Sequence, residues 1–251
     1  MLTRTLAAAL FAGLVAGALI TPIQQMKLVP LILAAEVYEE GGAPAHDAHH
    51  DAHAAALGLV SPAHAHSSGE HAPSGDEKEG ATTLVASRAG GSLLANLVLG
   101  CGFALVLAAA SLALNRPITL RNGALWGLAG FGVLTLAPAL GLPPELPAMP
   151  AADLAARQLW WLGTVAASAA GLALLVLRAS PAARLGGLAL LVAPHLVPAP
   201  HPADLASPIP PTLAAEFAVA SLSVSALFFV LIGLVAGLAF DRLARMGTRA
   251  A

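Results

Sequence analysis

The sequence predicts an all-α fold: a polytopic integral membrane helix bundle with six transmembrane helices and both termini in the cytoplasm. Three observations carry this expectation. Hydrophobic residues make up 57% of the 251 and charged residues only 10%, where soluble domains carry about a quarter. The apolar residues gather into runs near the roughly 20 residues that a bilayer span requires. Basic residues concentrate in alternate loops, as the positive-inside rule demands.

In chain order, residues 1–35 hold the first span, 36–91 an external histidine-rich loop, and 92–251 a bundle of five further helices. Leu6–Met26 follows Arg4 and is longer than the roughly 7–15 residues of a signal-peptide core, so it reads as an uncleaved span. Ser92–Leu114, Asn122–Leu142, Gln158–Leu177 and Leu213–Phe240 are of similar length. Leu185–His201 is shorter and broken by Pro194, Pro198 and Pro200, so hydropathy leaves it between a span and a re-entrant segment. Charge decides for a span. With six crossings, Arg4, Arg116, Arg121, Arg178, Arg184, Arg242, Arg245 and Arg249 lie inside, leaving Lys27, Lys78, Arg88 and Arg157 outside. Trp160, Trp161 and Tyr38 fall at the outer interface, where amphipathic rings gather. The pentapeptide GLVAG occurs at both Gly13–Gly17 and Gly233–Gly237, and Gly123 and Gly127 repeat the spacing. Small-residue faces of this kind let helix backbones approach closely.

Seven of the nine histidines lie in the external loop: His46, His49, His50, His53, His64, His66 and His71. On a helix, the first four would share one face beside Asp47 and Asp51. Imidazole and carboxylate together suit late first-row divalent metals. The competing reading is a solvated linker rich in Ala, Gly, Ser and Pro. A flexible loop collects an ion better than it selects one. Inside the membrane, His195 follows Pro194 about 15 Å along the predicted fifth span, close to the midplane. It is open between a metal site and a neutral histidine bonded to a neighbouring helix. His201 lies in the next external connection.

Other polar groups mark a candidate path. Glu36, Glu39 and Glu40 sit at the outer mouth of the first span, as a cation relay or simply a solvated helix end. Glu216 lies at the outer end of the sixth span, where an unpaired carboxylate is costly and points to an aqueous path or a cation. Gln24, Gln25 and Asn96 are candidate supports or interhelical hydrogen-bond partners. Cys101, the only cysteine, rules out an intramolecular disulfide and a cysteine-built zinc site.

Several function classes are excluded by what the sequence lacks. Neither lysine ends a glycine-rich phosphate loop, and no H-E-x-x-H occurs. A net charge of −2 offers no broad basic surface for nucleic acid. The chain is expected to be no enzyme and to hold no fixed cofactor.

The ordered set of segments LVPLILAAEVYEE (28–40), the histidine/acid loop, LLVAPHLVPAPHP (190–202) and LAAEFAVASLSVSALFFVLIGLVAGLAFDRL (213–243) resembles the CbtA family of bacterial cobalt transporter subunits. The resemblance covers nearly the full length, and residues 41–90 are its least alignable part. It implies import of Co²⁺ for cobalamin synthesis across a cell inner membrane. It also implies a small single-span, histidine-containing partner subunit of the CbtB kind. Cobalt as the metal, rather than Ni²⁺ or Zn²⁺, comes from the resemblance alone. The expected function is therefore a multi-pass membrane subunit for divalent metal uptake, with self-association left open. A metal-binding accessory or sensor that transports nothing is the alternative.

Overall fold

A computed structural model describes residues 2–40 and 88–249. Among them every regular element is helical. In chain order these are α1 (Leu2–Lys27), α2 (Val29–Glu40), α3 (Arg88–Ala113), α4 (Gly123–Ala139), α5 (Leu154–Leu177), α6 (Pro181–Leu196) and α7 (Pro211–Arg249). Four of them, α1, α3, α5 and α7, are long and apolar enough to cross a membrane. α4 is a shorter apolar helix and α6 has 16 residues. Large apolar side chains such as Leu125, Leu159, Leu185 and Val219 face outward, which suits hydrocarbon rather than water.

The helix ends differ from the sequence-predicted bounds for local reasons. α1 and α2 form one rod bent at Leu28, because Pro30 has no N–H for the Met26 carbonyl. The first helical rod therefore runs on to Glu40, past the residue-35 boundary. α3 starts at Arg88 rather than Ser92. α5 starts at Leu154, where the Asp153 carboxylate accepts the Ala156 N–H at 2.8 Å. α6 starts at Pro181, with Ser180 capping the Ala183 N–H. It stops at Leu196, because Val197 precedes Pro198 and is pushed to extended backbone.

Three glycine crossings organise the packing. Gly13 and Gly17 of α1 lie against the backbone of Gly100 and Asn96 in α3. Gly123 and Gly127 of α4 lie against Gly233 and Phe229 of α7, and Gly171 of α5 lies against Gly187 of α6. In each pair one residue number rises as the other falls, so the partners are antiparallel. The two copies of GLVAG thus serve different crossings, one with α3 and one with α4. α1 also packs along α7. Phe103 of α3, Phe131 of α4 and Phe229 of α7 meet between the helices, with the Phe103 and Phe229 ring centroids 4.7 Å apart.

The two ends of this frame are tied. At one end the Leu120 N–H donates to the Asp241 carboxylate at 3.0 Å, joining the α3–α4 loop to α7. At the other, Arg88 grips both oxygens of Glu36 at 2.8 and 3.4 Å, joining α3 to α2. Leu146 and Ile209, from the loops before α5 and α7, are buried in the same apolar cluster as Leu28 and Ala35. The α5–α6 hairpin stands beside this frame and meets it mainly through α4.

Candidate metal-entry cleft

α4 ends at Ala139 and is followed by a turn at Leu140 and Gly141, and α5 begins at Leu154, with Arg157 pairing Glu145 at 3.0 Å. This brings Trp160 of α5 against Gly141, where a side chain would collide with the indole. α6 returns along α5 and ends beside the same tryptophan. The Trp160 indole N–H donates to the Val197 carbonyl at 3.3 Å, satisfying one of the bare carbonyls that every helix end leaves. The Trp160 and His195 rings meet edge to face, with centroids 6.2 Å apart.

Past Leu196 the chain leaves the helix and runs irregularly through Pro198 and Pro200 to His201. His195, His201, Trp160, Gly141 and Val197 therefore line a single open cleft of about 390 Å³. Both imidazoles are exposed to it. Position 195 is also nearer the helix end than expected. Counted from Pro181 rather than Leu185 it lies about 21 Å along α6, in the last turn instead of at mid-helix.

The other sequence-predicted residues separate into groups. His46, Asp47, His49, His50, Asp51, His53, His64, His66 and His71 lie outside the described residues. Glu36 is held by Arg88. Glu39 is exposed, and Glu40 ends α2. Glu216 is exposed on the second turn of α7, next to the fully buried Phe217. Asn96 is buried and its amide donates to Gln24 at 2.8 Å and to Thr21 at 3.0 Å. Thr21 in turn donates to the Gly17 carbonyl. These polar groups tie α1 to α3 one turn beyond the glycine crossing, the interhelical role open to them from sequence. Among the described residues, no cluster of three or more His, Cys, Asp or Glu gathers to hold a metal.

Outside the spans, the surroundings of Glu145 move its carboxyl. Burial raises its carboxyl above the ordinary 4.5, and the charge and hydrogen bonds of Arg157 lower it again in part. Sequence reasoning did not find the Glu145–Arg157 and Glu36–Arg88 pairs. Both join residues across a loop, and periodicity carries no signal for that.

A family model described as "Probable cobalt transporter subunit (CbtA)" matches residues 2–241. That description is of a transporter subunit, not of an enzyme class. No curated protein and no solved structure matches the chain.

Proposed function

The chain belongs to the CbtA family, and from that premise we propose that it moves Co²⁺ inward across the cell inner membrane, supplying cobalamin synthesis. The observation that carries the route is the convergence of His195 and His201 on one cleft. Two neutral imidazoles suit a late first-row divalent ion, with water completing its coordination. Two ligands also hold it loosely enough for onward transfer.

In this reading six segments cross the bilayer with both termini inside, and the histidine-rich loop gathers the ion outside. Glu39 and Glu40 draw it toward the bundle, while Glu36, held by Arg88, anchors one base of the loop. The ion then enters at the His195–His201 cleft, and Glu216 lends negative charge at the same end of the frame. Gln24 and Asn96 hold the α1–α3 crossing that this route passes. For a divalent ion the membrane potential supplies about 4–5 kcal/mol per 100 mV. A single-span histidine-bearing subunit of the CbtB kind completes the transporter.

Uptake of radioactive Co²⁺ into proteoliposomes tests this, with the chain alone and with its partner subunit. Wild type should accumulate the ion, and His195→Ala/His201→Ala should lose most of that uptake. Removing residues 44–72 should reduce uptake only at scarce Co²⁺. Absence of uptake in both preparations would sink transport and favour the accessory or sensor reading. Uptake unchanged by the double substitution would sink the cleft as the entry.

A further inference from the structure

Trp160 is the side chain on which the walls of the histidine cleft converge. Its indole N–H donates to the Val197 carbonyl at 3.3 Å, and its ring meets the His195 imidazole at a centroid separation of 6.2 Å. The benzene edge of the same ring lies against Gly141, in the turn after α4. One half-buried ring thus meets the end of α6, one imidazole and the turn that follows α4. Its own base is fixed. Trp160 lies in the second turn of α5, a helix capped by Asp153 and tied to the preceding loop by the Arg157–Glu145 pair.

A site with two protein ligands depends on how well those ligands are held. An imidazole that binds a metal is usually aimed by a hydrogen bond at its second ring nitrogen. The described residues give His195 the ring of Trp160 instead. His195 is exposed in the last turn of α6, where its side chain would otherwise range over its rotamers. His201 comes from the segment after Leu196. That segment begins at Val197, whose carbonyl Trp160 holds, and Pro198 and Pro200 fix two of the backbone angles that follow. Groups that are already ordered have less freedom to lose when a ligand binds. Gly141 enters here too. A Cβ on it would collide with the benzene edge of Trp160 and crowd Ala199 of the same segment. Whichever of the two gave way, a wall of the cleft would move.

We propose that Trp160 is a positioning residue for the metal site. It sets His195 and the 197–201 segment so that both imidazoles serve one divalent ion, and Gly141 is the seat that its ring requires. This role rests on the cleft receiving Co²⁺, as proposed above. Trp160 supplies no ligand and acts through the two histidines, so it governs how tightly the ion is held.

The test is equilibrium dialysis of radioactive Co²⁺ against the purified full chain in lipid nanodiscs. Subtracting the binding of the same chain carrying His195→Ala and His201→Ala isolates the cleft, because the histidine-rich loop is common to both. Wild type should show one saturable site in the difference. Trp160→Phe keeps an aromatic ring and loses the N–H, and should raise the half-saturating Co²⁺ concentration about three- to tenfold, as loss of one hydrogen bond predicts. Trp160→Leu should raise it further, since the ring contact goes too. Gly141→Ala should shift it in the same direction with the indole intact. In the background lacking both histidines, none of the three should change Co²⁺ binding, the non-additivity expected of a residue that acts through its neighbours. A merely structural role would lower the amount bound in both backgrounds at an unchanged half-saturation, and that pattern would overturn the assignment. Trp160→Phe and Gly141→Ala isotherms that coincide with wild type would overturn it as well and leave the cleft standing. A wild type that binds no more Co²⁺ than the chain without the two histidines would overturn the cleft and the role of Trp160 together.

Discussion

The α1–α3–α4–α7 frame and the α5–α6 hairpin are built from the same alanine, leucine and glycine, yet they are held in different ways. The frame has two close glycine crossings, a buried amide cluster, a knot of phenylalanines and ties at both ends. The hairpin has one crossing, at Gly171 and Gly187. One end of it is fastened by the Trp160–Val197 hydrogen bond and the Arg157–Glu145 pair. The histidine cleft sits where hairpin meets frame. A fixed frame with a lightly fastened edge would suit the proposed role of this cleft in passing on an ion.

Glycine substitution probes that contrast most strongly. A Cβ on Gly233 would run into the backbone of Gly123 and Gly127, whereas one on Gly186 meets nothing within 4 Å. Gly233→Val should therefore cost at least about 1–3 kcal/mol and sharply lower the yield of folded protein. Gly186→Val should leave both near wild type. Size-exclusion yield and thermal midpoint read the difference, and equal tolerance at the two positions would erase the contrast.

A smaller effect is expected at the amide cluster. Asn96→Ala strands the Gln24 side-chain carbonyl and takes one donor from the Thr21 hydroxyl, which keeps its bond to Gly17, and should cost about 1–2 kcal/mol. Trp160→Phe removes the indole bond to Val197 but keeps the ring, and should cost less than about 1 kcal/mol. It should raise hydrogen exchange in the last turn of α6 without touching α3. Protection lost equally in both helices would mean that hairpin and frame open as one unit.

The smallest effect is that of pH at Glu145. Its folded-state pKa lies above the unfolded one. The associated stabilisation is thus complete below the unfolded pKa and fades as pH rises through the raised value. Glu145→Gln should flatten that part of the stability–pH curve. An unchanged curve would show that Arg157 offsets the burial.

Much of the frame was legible in sequence, because an apolar run of some twenty residues has few alternatives in a chain this poor in charge. The end of α6 was less so: the apolar segment reads on to His201, whereas Pro198 pushes Val197 to extended backbone and stops the helix at Leu196. Other features were not. The GLVAG repeat announced two tight crossings without saying that one faces α3 and the other α4, since small residues specify closeness rather than partner. That His195 and His201 line one cleft depended on the end of α6 at Leu196 and the path of the chain beyond it. The histidine loop drew attention through composition, and composition says nothing about a path through helices.

The central claim is that the bundle itself, at His195 and His201, receives the ion. Equilibrium dialysis of Co²⁺ against the purified chain lacking residues 44–72 tests this most directly. One bound Co²⁺ per chain is expected, lost in the same protein carrying His195→Ala and His201→Ala. A trimmed chain that binds no Co²⁺, or one that binds it equally well without the two imidazoles, would contradict the account.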